Sequence, residues 1–232
     1  MSEVFHVGST THLLTLLICG LLGAAITWKG KALAGHERRQ LRLRHAIALG
    51  CLGAWLLNTG FWLVPSRFSW DQALPLQFCN LANLVSAFAL WKKSRRAQSL
   101  LYFWALGLST WAFLTPSLAA GPALVEFWIF WIYHIFILFA VLWCLVIDRF
   151  RPTWKDFGLS LAITLGYLAF LFILDRITGW NYGFAGETKP LQPSPIDGLG
   201  PYPIRVLWLA LIGTAVFALL MLPFSRKEET DS

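Results

Sequence analysis

Seven long apolar runs, each bounded by charges, Pro or Gly, set the limits on what this chain can become. They cover 11–28, 45–65, 74–91, 98–115, 124–147, 157–174 and 203–223, and each approaches or exceeds the ~20 residues that a helix needs to cross a hydrocarbon layer. They leave too little chain for a separate soluble domain. Of the 232 residues, 57% are hydrophobic and 13% charged, against about 25% charged in a soluble domain. So few charges cannot coat a particle of this size, and so much apolar surface rules out disorder. Strand-like alternation is absent, which excludes a barrel. The sequence therefore predicts an all-α polytopic membrane protein, one domain over 1–232, folded as a bundle of seven transmembrane helices.

Basic residues decide the expected orientation, because the cytoplasmic side retains them. The segments after runs one, three, five and seven hold Lys29, Lys31, Arg38, Arg39, Arg42 and Arg44, then Lys92, Lys93, Arg95 and Arg96, then Arg149, Arg151 and Lys155, then Arg226 and Lys227. The opposite side has only Arg67, Arg176, Lys189 and Arg205. This predicts an N-terminus outside and a C-terminus, ending at Ser232, in the cytoplasm of a cell, with the inner membrane of a bacterium as the expected location. Lys29 follows the first apolar run, so the pattern of a cleaved secretory signal is missing and the first span is expected to stay. The net charge of +7 is gathered in short juxtamembrane blocks, which fit topology and anionic lipid headgroups better than nucleic acid. Cys19, Cys51, Cys79 and Cys144 all fall inside expected spans, so no disulfide framework is expected.

Few polar residues enter the spans. Glu126 and Asp175 sit at span ends, and span seven has no Lys; this argues against an ion pump and against a retinal Schiff base. The exception is span three, where Cys79, Asn80 and Asn83 lie within about 100° of one another on a helical wheel. That stripe must face the bundle. In span five, His134 interrupts an aromatic run from Phe127 to Tyr133 and must also face inward. Counting from the span starts puts Cys79 about 8 Å deep and His134 about 15 Å deep, near enough for the two to meet. A thiol becomes a strong nucleophile when an imidazole takes its proton, and the thiolate then attacks a carbonyl to form a thioester. Gln77, Asn80 and Asn83 would supply amide donors to the oxyanion or orient the imidazole.

Each of these residues also has a plain packing use: membrane Cys fills small gaps, and Asn or His bonds neighbouring helices. His6, His12, His36 and His45 lie at or near expected interfaces, where solvent or snorkelling satisfies them. No two His or Cys residues share ligand spacing on one helix face, so neither a metal nor another cofactor is expected. The 175–202 connection, rich in Pro and Gly, is either a solvated linker or a lid over the side where the Cys and His would lie.

The stretch Leu74-Pro75-Leu76-Gln77-Phe78-Cys79-Asn80, followed by His134, Asn181-Tyr182 and the run from Pro193-Ser194-Pro195-Ile196-Asp197 to Gly200-Pro201-Tyr202-Pro203, resembles the YwaF-type bacterial integral membrane proteins. It is equally similar to their animal relatives, the transmembrane protein 164 group. The resemblance runs from span two to span seven. It implies an acyltransferase acting on phospholipids, with Cys79 and His134 on the positions of the proposed catalytic pair, and it marks Asn181, Tyr182, Asp197, Gly200 and Pro201 as a candidate lid. Three functions remain open on the residues alone. They are an acyltransferase or acyl hydrolase with membrane lipids as partners, a transporter or channel for a neutral or lipid-like solute, and a non-catalytic membrane protein.

Overall fold

The computed structural model describes residues 4–188 and 195–225; Lys189, Pro193, Ser194, Arg226, Lys227 and Ser232 lie outside the described residues. Seven principal helices form among them: α1 (Thr10–Ala32), α2 (Glu37–Leu63), α3 (Phe78–Lys92), α4 (Arg95–Phe103), α5 (Val125–Val146), α6 (Trp154–Thr178) and α7 (Ile204–Ser225). Five of them, α1, α2, α5, α6 and α7, are long and apolar enough to cross a membrane. Their surfaces are inverted relative to a soluble protein. Leu13, Leu17, Ile18 and Leu21 of α1 and Leu207, Leu211 and Leu219 of α7 are exposed, a burden that only a lipid surrounding removes.

The third and fourth apolar runs fold differently from expectation. Run three is not helical from its start: Pro75 has no amide proton to give and restricts the residue before it. Leu74 and Gln77 are extended, and α3 begins only at Phe78 and lasts 15 residues. Run four leaves α-helical geometry after Phe103 for a π-helical segment, Trp104–Ser109, before a last turn at Trp111–Leu114. The Thr110 hydroxyl donates to Ala105 O, five residues back, at 3.0 Å. Gly107 lets this segment touch α7, since a Cβ there would lie 2.7 Å from Phe217 Cε1.

α5 occupies the centre, packed by α1, α2, α3 and the π segment, and it contributes twelve of the chain's buried residues. α2 and α3 run antiparallel beside it. Asn58 Nδ2 donates to Asn80 Oδ1 at 3.4 Å, and His45 stacks on Trp91 at 4.6 Å. Gly50 permits close approach to α5, because a Cβ there would stand 2.0 Å from Phe136 Cε1. One residue on, the Cys51 thiol donates to Phe136 O at 3.5 Å.

The basic connections meet at one end. There Lys93 pairs with Asp148 at 3.6 Å and Arg95 with Asp156 at 2.5 Å, while Thr153 and Asp156 form the capping box that starts α6. At the opposite end, the N-terminal segment folds back on the 116–121 connection, with Phe5 N donating to Ala119 O at 3.0 Å. This buries His12, which accepts from Gly8 N at 2.9 Å through Nδ1 and donates to Phe113 O at 2.8 Å through Nε2. The expectation that solvent satisfies His12 is therefore corrected; two backbone groups do so.

Candidate functional site

The site begins with the late start of α3. With Gln77 as its N-cap residue, Cys79 falls in the first turn of the helix rather than five residues into it. That first turn is fixed from two sides. Tyr167 of α6 donates its hydroxyl to Leu76 O at 2.7 Å, and Gly183 N donates to Gln77 Oε1 at 3.0 Å. Phe78 meets Trp104 and Tyr167 edge-on at 5.5 and 5.2 Å. Cys79 is partly exposed, whereas Cys19, Cys51 and Cys144 are buried.

The Cys79 thiol lies 3.5 Å from the hydroxyl of Ser109, at the end of the π segment. Asn83, fully buried one turn deeper, donates from Nδ2 to Cys79 O at 3.3 Å and to Tyr133 O at 3.1 Å, and so joins α3 to α5. The Tyr133 side chain is buried, and its hydroxyl makes no hydrogen bond among the described residues. The next residue of α5, His134, is 5% exposed and rests against Phe130, with ring centroids 4.3 Å apart. Its Nδ1 contacts Phe130 O at 2.7 Å. A carbonyl can only accept, so Nδ1 carries the proton and Nε2 is left as the basic nitrogen. No hydrogen bond to Nε2 forms among the described residues.

His134, Ser109, Thr110, Phe113 and Ala105 line a cavity of about 120 Å³ between the π segment and α5. Cys79 does not line it. Ser109 thus bonds one of the two residues that the sequence singled out and shares a cavity with the other. Asn80 is committed to Asn58, and Gln77 Oε1 to the loop.

The candidate lid residues separate into two groups. Asn181 is tied within its own loop, donating to Thr188 O at 2.8 Å and accepting from Gly186 N at 3.0 Å. Tyr182 is fully buried and donates its hydroxyl to Trp70 O. Arg205, also buried, donates to Gly186 O and to Thr188 O. This first half of the loop is clamped onto the starts of α3 and α7. Asp197 sits in a short 3-10 turn, Pro195–Leu199, and Gly200 in a left-handed conformation (φ 90°) just before Pro201.

Sequence reasoning missed Ser109 and Tyr133. The adjacent hydroxyls of Ser109 and Thr110 inside an apolar run were a usable signal; Tyr133 was hidden in an aromatic stretch. Among the described residues, no three His, Cys, Asp or Glu side chains gather as a metal site would need.

The profile of the TMEM164 family matches residues 7–221, which takes in Cys79, Ser109 and His134. The chain belongs to the TMEM164 family. Membership and the five apolar helices together make it a multi-pass membrane protein. Searches of curated proteins and of solved structures returned no match to this TMEM164 family member.

Proposed function

We propose that this protein transfers or hydrolyses phospholipid acyl chains through Cys79 and His134. The observation that carries the reading is the convergence of the two on Ser109: the thiol is 3.5 Å from its hydroxyl, and the imidazole shares its cavity. In this mechanism Nε2 of His134 takes the thiol proton, and Cys79 Sγ attacks an ester carbonyl. The alcohol leaves with the proton, and a second alcohol or water then releases the acyl group from the thioester. The first-turn amides of α3 face negative charge that develops at Cys79, as the N-terminus of a helix favours. Gln77 and Asn80 accept through their side-chain oxygens from Gly183 N and Asn58 Nδ2, which leaves their amide N–H groups to donate to the oxyanion, while Asn83 fixes the spacing of α3 and α5.

We place the chain in a cell membrane with seven spans, counting the short α3 and the π-interrupted α4 segment, the N-terminus outside and the basic connections in the cytoplasm. The described loop residues 181–188 then cap the outer end above Cys79. The deciding experiment is lipidomics on membranes of cells expressing wild type, Cys79→Ala or His134→Ala at matched protein levels. Loss of the same change in lipid acyl composition in both variants supports the mechanism. A lipid profile unaltered by Cys79→Ala removes it and leaves a transporter or a non-catalytic protein.

A further inference from the structure

We propose that Ser109 is a catalytic residue of this site: its hydroxyl relays the proton between the Cys79 thiol and His134. The inference rests on the Cys79–His134 reading and adds to it the group through which the two communicate. Ser109 is 2% exposed, and the Cys79 contact is the hydrogen bond its side chain makes among the described residues. It also faces the 120 Å³ cavity into which His134 looks. A buried water needs about 10–15 Å³ of such space and two to four polar partners; the cavity has the room, and the Ser109 and Thr110 hydroxyls and the imidazole line it. A base works by direct hydrogen bond or through one water.

Backbone geometry explains how Ser109 comes to be there. A π turn holds an extra residue, which rotates everything beyond it relative to a regular helix, and such turns recur at functional sites. The turn here ends at Ser109 itself, and Gly107 and Trp104 secure it against α7 and α6. Gly107 lies under Phe217, and Trp104 Nε1 donates to Thr164 Oγ1 at 2.8 Å.

The step balances without an added reagent. The Sγ–C bond forms as the carbonyl π pair moves onto oxygen. The thiol proton passes to Ser109 Oγ while the hydroxyl's own proton passes to the cavity water and that water gives a proton to Nε2, so Ser109 and the water end as they began. Collapse of the adduct breaks the ester C–O bond, and the leaving alkoxide takes the proton from the imidazole. In the second half an alcohol or water gives its proton to Nε2 and attacks the thioester; the departing Cys79 sulfur recovers a proton through Ser109.

The test follows the rate at which a long-chain alkyl iodoacetamide labels Cys79 in the full-length protein in micelles, as a function of pH. Ser109→Ala is expected to slow labelling near neutral pH by about 100-fold, the lower range for loss of a general base, and to move the rise in rate toward alkaline pH. His134→Ala is expected to do the same, the double variant to be no slower than either, and Ser109→Thr to keep the wild-type profile. Buried Cys51 and Cys144 report on folding in the same sample; if they label in Ser109→Ala, Ser109→Gly replaces it. A wild-type profile in Ser109→Ala with slow labelling in His134→Ala overturns the relay and leaves the Cys79–His134 pair standing. Equal slowing by Ala and Thr also overturns it, because the hydroxyl is then irrelevant. An unchanged rate in His134→Ala removes the pair, and the relay with it.

Discussion

Gly50→Ala tests the packing on which the position of His134 depends. An added Cβ would stand 2.0, 2.5 and 2.6 Å from three atoms of the Phe136 ring. Carbon atoms prefer about 3.5–4.0 Å, so the ring or the whole of α5 has to retreat by about 1.5 Å. Forcing a methyl into a packed core costs about 1–3 kcal/mol, whereas replacing Gly by Ala inside a helix contributes up to about 1 kcal/mol in the other direction. Steric cost wins, with a net loss of about 1 kcal/mol. Phe136 is two residues from His134, so Cys79 labelling should slow as well.

Reversible unfolding in mixed micelles measures the first effect, and a double-mutant cycle with Phe136→Ala isolates its cause. Once the ring is gone, Gly50→Ala should become stabilising, with a coupling of about 1–3 kcal/mol. If Gly50→Ala stabilises the protein with Phe136 intact, or if the cycle shows no coupling, then α2 and α5 do not approach as described and the placement of His134 loses its support.

The remaining predictions are local. Cys79 should react with a lipophilic alkylating agent faster than Cys19, Cys51 and Cys144, which are buried; equal labelling of all four, read by mass spectrometry, would make it a packing cysteine. Asp156→Ala removes the acceptor for Thr153 N, Thr153 Oγ1 and Arg95 and should cost about 1–2 kcal/mol, the range for a lost helix cap, in micelle unfolding. Burial raises the pKa of Asp148, against the opposing charge of Arg44. A folded pKa above the unfolded one means that stability is lost as pH rises from the ordinary carboxylate value through the raised one. Asp148→Asn should therefore gain on wild type across that interval and hold a constant difference above it; a difference independent of pH would refute the assignment.

Where sequence and structure agree, the cause is segment length: an apolar run of 18 residues or more has few options besides a helix. Runs one, two, five, six and seven accordingly recur as α1, α2, α5, α6 and α7. Departures have other causes. Pro75 is visible in the sequence, yet its effect depends on Gln77 acting as the cap, and that moved Cys79 into the first turn of α3. The π segment leaves no periodic trace, because residues 100–108 before Ser109 are apolar on every side and one inserted residue changes no pattern there. His12 reads as interfacial in the sequence because its burial depends on Phe5 folding back on Ala119 and on Phe113, 101 positions away. Cys79, Asn83 and His134 were legible as inward-facing since polar groups in lipid have few other choices. Ser109 needed the fold, as only the π turn aims it at the thiol.

The brevity of α3 has a consequence for the membrane itself. Its 15 residues rise about 22 Å, against a hydrocarbon core of about 30 Å. On the seven-span arrangement, lipids beside α3 meet a helix shorter than their own tails. Such a mismatch is relieved by local thinning of the bilayer, and the thinning is greatest where the helix falls short. Leu74 to Gln77 make up that shortfall, one turn from Cys79. On the mechanism proposed above, such thinning would draw the glycerol esters of neighbouring phospholipids toward the depth of the Cys79 thiol, so that the helix carrying it shapes the surface from which a substrate would arrive.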